Sequence, residues 1–331
     1  MDNHHFDAIV LGGGPAGLTA GIYLARAKVK TLMLTEGTAG GQMILTHEIA
    51  NYPGVESISG YELANIMKRQ ARQFGCVIKS NVKVTDLMLA GNIRSVEVNG
   101  KDVYTANAII LSVGGKARSL HVPGEDEFKG KGISYCATCD GDFFQDKNII
   151  VVGGGNSALE EAVSLTRYAK HVTVVHQFDH FQAFEHAIEE ARRNEKITFM
   201  MESKIAEFMG DESLRRVRIQ HQSSGEMMEL EVDGVFILIG YEPNTGDLMG
   251  KIGLNDSNEI IVDETLQTGV SGVFAAGDAI HKRYRQITTA VSDGTVAALG
   301  AIEYLRTSKA HPLVTSDTAD THELEHSGEI P

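Results

Sequence analysis

Cys136 and Cys139 stand three residues apart in Cys136-Ala137-Thr138-Cys139-Asp140. At that spacing two thiols can close a small disulfide ring or open as a dithiol, and the open form can hand two electrons to another disulfide by exchange. Asp140, directly after the second sulfur, offers a carboxyl able to give or collect the proton that a thiolate cycle moves. Alone, such a pair reads as half a zinc site, a structural crosslink or a redox centre. Zinc needs four ligands and the only other cysteine, Cys76, stands alone, so no metal is expected. Cys76 itself, in Phe74-Gly75-Cys76-Val77-Ile78, reads as a buried strand thiol.

The flanking chain favours the redox reading. Phe6-Asp7-Ala8-Ile9-Val10-Leu11 is a short apolar run that stops at Gly12-Gly13-Gly14-Pro15-Ala16-Gly17. From Leu18 to Arg26 the spacing turns helical, which is the strand, glycine turn and helix context that a G-x-G-x-x-G pattern requires. Its glycines let the backbone approach a pyrophosphate resting on the positive helix end. A second strand, Val29 to Thr35, ends at Glu36, where a carboxylate can bind ribose hydroxyls. Residues 81–115 read as short strands with turns at Ala90-Gly91-Asn92 and Asn99-Gly100-Lys101, closing with the apolar run Ala108 to Val113.

Then the plan repeats. Asn148 to Val152 leads into Gly153-Gly154-Gly155-Asn156-Ser157-Ala158, a helix is expected from Leu159 to about Tyr168, and His171 to Val175 is the next strand. A second meander is expected over 199–233, ahead of the run Gly234 to Gly240. After Tyr241-Glu242-Pro243-Asn244 no third domain begins. Gly272 to Asp278 is a strand ending in Gly-Asp, and Ile287 through Tyr304 reads as a long helix. Asp278 is either a helix cap or a hydrogen-bonding partner for the sugar-like chain of a dinucleotide. Residues from 307 onward are polar, acidic and without period, the composition of a mobile tail.

The totals narrow the function classes. A chain of 331 residues has room for two domains, and 42% hydrophobic with 22% charged residues is ordinary globular composition. Its formal charge of −14 argues against nucleic acid or an anionic membrane as partner. No basic segment precedes a long apolar run and no apolar stretch reaches about 18 residues, so neither a signal peptide nor a membrane span is expected. A cytoplasmic location is expected, and a lone C-x-x-C in a reducing compartment reads as catalytic.

A glycine-turn domain interrupted by a second one carrying C-x-x-C, then resumed by Gly-Asp, resembles the low-molecular-weight flavin thioredoxin reductases over residues 6 to about 305. The matches are Gly40-Gly41-Gln42 with Asn51-Tyr52-Pro53-Gly54, the Cys136 to Asp140 centre, Tyr241-Glu242-Pro243-Asn244-Thr245, Ala276-Gly277-Asp278 and Tyr284-Arg285-Gln286. The resemblance implies an α/β fold of two Rossmann-like, three-layer ββα dinucleotide-binding domains, the second inserted in the first. The discontinuous FAD domain is expected at 1–115 and 245–310, a pyridine-nucleotide-like domain with the redox pair at 116–244, and an acidic tail, flexible or covering the site, at 311–331.

By the same resemblance FAD lies along Gly12, Gly14, Pro15, Ala16 and Gly17 at its pyrophosphate and Glu36 at its adenosine ribose. Gly41, Gln42, Asn51, Asp278, Arg285, Gln286 and Ile287 take its remaining parts. Cys139 is then the sulfur facing the flavin, Cys136 attacks the disulfide of thioredoxin or a similar small protein, and Asp140 donates the proton. The resemblance also implies a homodimer, and a rotation between domains at Gly114-Gly115-Lys116 and Gly240-Tyr241-Glu242.

The second nucleotide site departs from the family pattern. Where the family carries His-Arg-Arg-x-x-x-Arg for the NADPH 2′-phosphate, this chain has His176-Gln177-Phe178-Asp179-His180-Phe181-Gln182. A neutral amide cannot balance a phosphate dianion, and each charge-assisted bond lost costs about 1.5–3 kcal/mol. NADPH is therefore expected to bind poorly. NADH is not clearly rescued, because His176 and Gln177 replace the ribose-binding acid. Atypical members of the family take electrons from ferredoxin, a deazaflavin or a second flavin, and such a donor is the expectation here. Gly153, Gly155, Asn156, Ser157 and Ala158, with His176, Gln177, Phe178 and Phe181, form the candidate second nucleotide or flavin site. An NADH-dependent reductase is the alternative, and a redox-sensing flavoprotein without turnover is the alternative of another class.

Overall fold

The computed structural model describes residues 4–46 and 48–310. The tail assigned to 311–331 lies outside them. β1 (His5–Leu11) leads through the first glycine turn into α1 (Pro15–Arg26), followed by β2 (Thr31–Thr35), α2 (Gly60–Gln73) and β3 (Val77–Ser80). A meander of β4 (Val84–Met88), β5 (Arg94–Val98) and β6 (Asp102–Leu111) comes next. The chain leaves through β7 (Gly115–Ala117) and α3 (Glu125–Phe128) to β8 (Ile133–Ser134) and the short helix α4 (Ala137–Asp140). β9 (Asn148–Val152), α5 (Asn156–Leu165), β10 (His171–Val175), α6 (Glu185–Arg193) and β11 (Ile197–Met200) repeat the opening plan. β12 (Ser203–Gly210), β13 (Leu214–His221) and β14 (Met227–Glu231) repeat the meander. β15 (Gly234–Ile237), β16 (Tyr241–Pro243), β17 (Val273–Ala275) and α7 (Ile287–Ala310) complete the described chain.

These elements make two Rossmann-like units, each with helices on one face of a parallel sheet and a meander on the other, the second inserted in the first. The first sheet runs β3-β2-β1-β6-β5-β4, with β17 parallel to the end of β6. β6 pairs parallel with β1 on one edge, and on the other antiparallel with β5 along its first half and parallel with β17 along its end. The second sheet runs β11-β10-β9-β15-β8, with β12-β13-β14 as its meander. A strand covered on both faces must be apolar at every position, which is why Ala8, Ile9, Val10 and Leu11 are all buried. Leu18, Leu24, Ala64 and Ala297 fill the helix side of the first sheet, and Ile9, Leu32, Val96 and Ile109 the meander side. In the second unit the same two sides hold Val151, Leu159 and Ile188, and Ile150, Val217 and Ile219. The chain crosses between the units as an antiparallel ribbon, β7 with β16, in which Glu242 faces Lys116.

Several local expectations shift. β2 starts at Thr31 rather than Val29, because Lys28 takes a left-handed φ of 62° to turn out of α1. α5 starts at Asn156 rather than Leu159, directly off the glycine turn, and stops at Leu165. β11 belongs to the parallel sheet beside β10, so the second meander begins at Ser203 rather than 199. α7 continues to Ala310. Helices α2, α3, α4 and α6 have no counterpart in the sequence reading. α2 carries a capping box, Ser59 Oγ accepting the Glu62 N–H while Glu62 Oε2 accepts the Ser59 N–H. α6 starts at Glu185, and Phe184 before it offers no side-chain cap.

Arg94 is 2% exposed and has no carboxylate among its hydrogen-bond partners. Its guanidinium donates to the carbonyls of Asn92, Asn107 and Ser271 and to the Tyr304 hydroxyl, tying β5 to the segment before β17 and to α7. Arg94→Met strands those carbonyls in an apolar interior. A loss of about 2–4 kcal/mol is expected, read as a lower urea midpoint with an unchanged slope. An unchanged midpoint would mean that water reaches those carbonyls.

Candidate active site

The first glycine turn is a cradle that side chains would fill. Gly12 has φ of 105°, and a Cβ there would lie 2.1 Å from the Ser112 carbonyl oxygen, so β1 ends with its backbone against β6. Gly14 caps α1 and Pro15 takes its first position, where a missing N–H costs nothing. The free N–H groups of the helix start face a cavity of about 630 Å³. Gly12, Gly14, Pro15 and Ala16 line it at this end, and Glu36, one residue past β2, lines it farther on. Gly17 does not line it. A Cβ at Gly17 would lie 2.0 Å from the Gly12 carbonyl oxygen, so this glycine allows the turn to close on the helix from behind.

The cavity continues between Gly41, Gln42 and Asn51 on one side and Asp278, Arg285, Gln286 and Ile287 on the other. Asp278 Oδ1 is buried without a hydrogen bond, and burial pushes its carboxyl above the ordinary range against the pull of Lys282, 3.6 Å away. An acceptor left open in this way points a hydrogen-bonding side chain at whatever fills the space. Arg285 is fixed by Glu259, by the Asp278 carbonyl and by stacking 4.4 Å from the Tyr241 ring centre. Lining residues that the motifs did not yield include Met43, Thr46 and Glu48 after Gly41-Gln42, and Gly246 and Asp247 after β16. Asn244 sat inside a quoted motif without a role. It lines the cavity, and its side chain donates to the Val113 carbonyl at 3.0 Å. Val84 and Leu87 of the meander also line it and carry no sequence signal.

Cys139 lines the same cavity. It is disulfide-bonded to Cys136, with the two Cα atoms 5.3 Å apart across the turn that opens α4. Ser134, buried at the end of β8, organises that turn. Its hydroxyl accepts the Cys136 N–H at 3.1 Å and donates to Asp140 Oδ2 at 2.6 Å. Burial pushes the Asp140 carboxyl up, the Ser134 bond opposes this, and Asp142 adds to it. A carboxyl that keeps its proton nearer neutrality than usual suits a proton donor beside sulfur. Cys76 is 3% exposed just before β3, and burial lifts its thiol to about 12, which leaves it inert. Among the described residues no group of three or more His, Cys, Asp or Glu side chains is placed to hold a metal ion.

The second glycine turn does not join this cavity. His176 is 5% exposed and folds back onto it: a Cβ on Gly154 would lie 2.4 Å from the imidazole. The ring stacks on Phe181 at 5.7 Å, meets Phe178 edge-on at 5.4 Å, and its Nε2 donates to the His180 carbonyl at 3.1 Å. Burial holds the imidazole below its ordinary pKa. The following segment is tied across the turn, Gln182 N–H to the Gly154 carbonyl at 2.8 Å and Phe184 N–H to Asn156 Oδ1 at 2.7 Å. Gly155 caps α5, which begins with Asn156, Ser157 and Ala158. Gln177, Phe178 and Gln182 are exposed around this arrangement, and none brings a charge. His180 is taken by Asp179 at 2.6 Å.

Comparison with known proteins fits this geometry. The family model described as pyridine nucleotide-disulphide oxidoreductase matches residues 6–294. A thioredoxin reductase of Peptoclostridium acidaminophilum is 43% identical over 307 residues, 91% of this chain and 97% of its own. A "34.2 kDa protein in rubredoxin operon" of Clostridium pasteurianum is 40% identical over 304 residues, 92% of this chain and 98% of its own. The crystal structure of the Streptococcus pyogenes MGAS5005 thioredoxin reductase superposes with a TM-score of 0.88 at 38% identity, over 92% of this chain and all of that one.

Proposed function

The chain belongs to the pyridine nucleotide-disulphide oxidoreductases and, within them, to the thioredoxin reductases, and from that premise we propose that it reduces the disulfide of thioredoxin with electrons that do not come from NADPH. The carrying observation is that Cys139 lines the cavity built by the first glycine turn. That cavity fits FAD: the Gly12 cradle admits a pyrophosphate, Glu36 stands at the end of β2 for a ribose, and Asp278 Oδ1 has an open acceptor. FAD, when bound, supplies the electron pair that opens the disulfide.

Opening the Cys136–Cys139 bond takes up two electrons and two protons and leaves two thiols. Cys136, once deprotonated, bonds to one sulfur of the substrate disulfide as that S–S bond breaks. Cys139 then attacks Cys136, re-forming the internal disulfide and releasing the substrate as a dithiol. Asp140, kept near Ser134 and raised by burial, carries the proton to or from the pair. The two-stranded ribbon of β7 and β16 is the hinge that brings Cys136 out to the substrate. Among the described residues no helix is long and apolar enough to cross a membrane. The enzyme works as a homodimer in the cytoplasm.

The donor reading rests on the second turn. Gln177, Phe178 and Gln182 give a 2′-phosphate no cation, and the buried His176 stands where a ribose-binding acid belongs. The sources this leaves are reduced ferredoxin, a deazaflavin, or a second flavin stacked near Phe178 and Phe181. The intact glycine turn favours NADH as the one pyridine-nucleotide alternative. Anaerobic titration of the oxidised holoprotein with NADPH, NADH and reduced ferredoxin decides between them. No bleaching by micromolar NADPH is expected, and bleaching by micromolar NADPH overturns the proposal.

A further inference from the structure

Glu161 reaches from α5 into the redox turn, where its Oε2 accepts the Ala137 N–H at 3.0 Å. Ala137 lies between the two sulfurs, directly after Cys136. Its amide is the backbone N–H next in the chain to Cys136, and left free its dipole would favour a thiolate there in the dithiol state. Here a carboxylate holds it instead. The surrounding groups do not offset that charge. Glu160 on the same helix is another carboxylate, as are Asp140 and Asp142 of the redox turn. The core under α5 takes apolar side chains from α6, β9 and β10, Ala187, Ile188, Val151 and Val174 among them. Burial raises the Glu161 carboxyl above its ordinary range while the Ala137 bond opposes the rise.

We infer that Glu161 is a positioning residue for the redox pair: by placing a negative oxygen on the Ala137 N–H it holds the reduced Cys136 as a thiol at neutral pH. Cys136 then keeps its proton after the disulfide has been opened and gives it up only when exchange begins. Adventitious oxidants and disulfides meet a thiol rather than a thiolate. Because Glu161 sits in the second turn of the helix that leaves the second glycine turn, a shift of α5 changes the reactivity of Cys136 without touching it. The inference rests on the redox role of the pair and not on the donor proposed above, so bleaching by NADPH would leave it standing.

The test is the pH dependence of iodoacetamide alkylation in the dithiothreitol-reduced holoprotein, with the Cys136 peptide quantified by mass spectrometry. Glu161→Gln keeps the size and an oxygen acceptor but removes the charge. The alkylation midpoint is expected to fall by about one pH unit, with modification at neutral pH roughly tenfold faster. Glu161→Ala frees the amide and is expected to lower the midpoint at least as far. Flavin content and Tm of both variants report folding separately. A glutamine variant that folds and keeps the wild-type midpoint, or raises it, overturns the inference and leaves Glu161 a structural brace for the turn.

Discussion

Cys139→Ser is expected to abolish reduction of a protein disulfide, by on the order of 10⁴-fold or more, while the protein stays yellow and folded. The size of the effect follows from position. Cys139 is the sulfur of the pair that lines the cavity, so without it electrons arriving there have no acceptor and a substrate mixed disulfide has no resolving thiol. The structural cost is small, because a crosslink spanning three residues restrains little of the unfolded chain. Single-turnover mixing of reduced enzyme with thioredoxin, followed by flavin absorbance, reads the step directly. Cys136→Ser is the partner measurement: it leaves the cavity-facing thiol in place but removes the sulfur assigned to meet the substrate. Retention of more than about one per cent of wild-type turnover by Cys139→Ser would mean that the sulfur roles are wrongly assigned.

The combined variant Gln177→Arg, Phe178→Arg and Gln182→Arg is expected to gain NADPH dependence. All three positions are exposed at the rim of the second glycine turn, so the substitutions carry little packing cost. Each restored charge-assisted bond to a 2′-phosphate is worth about 1.5–3 kcal/mol, less the entropy of ordering a long side chain. Two effective contacts already correspond to a fall in the NADPH Kd of about 10²–10³-fold. The readout is bleaching of the flavin by NADPH under anaerobic conditions, with NADH as the control that the added arginines should not improve. A folded variant that still ignores NADPH would show that the neutral rim is not the barrier. The stacked His176 and the segment tied across Gly154 and Asn156 would then be what closes the turn.

Much of the fold was legible because its signals are local. A glycine turn between an apolar strand and a helical run has to be written in consecutive residues, and it recurs at Gly12 and Gly153 at the right distance from the redox pair. Where the reading failed, the deciding contact was remote or the signal was passed over. Ser59-Gly60-Tyr61-Glu62 is a capping-box sequence that announces α2. α6 has no such cap, and its buried Ala187, Ile188 and Ala191 mark a face only once β10 and α5 are there to cover it. β11 has the same apolar look as a meander strand, and its parallel pairing with β10 is set across a helix and not by its own residues. Gly17 belongs to the motif yet lies behind the cavity wall, because the pattern records which residues must be small and not what each one faces.

The amino-acid order by itself determined the two dinucleotide turns, the redox pair with its acid, and the uncharged Gln177, Phe178 and Gln182 after β10, since each depends on residue types within a few positions of one another. Tertiary structure alone decided that Asn244 lines the cavity on the Val113 carbonyl, that His176 turns inward on Gly154, and that Glu161 takes the amide between the sulfurs. Those three facts join atoms that lie far apart along the chain or depend on how an imidazole is turned. Contacts of that kind are fixed by the packing of α5, the ribbon of β7 with β16, and the two sheets, all of which exist only after the chain has folded.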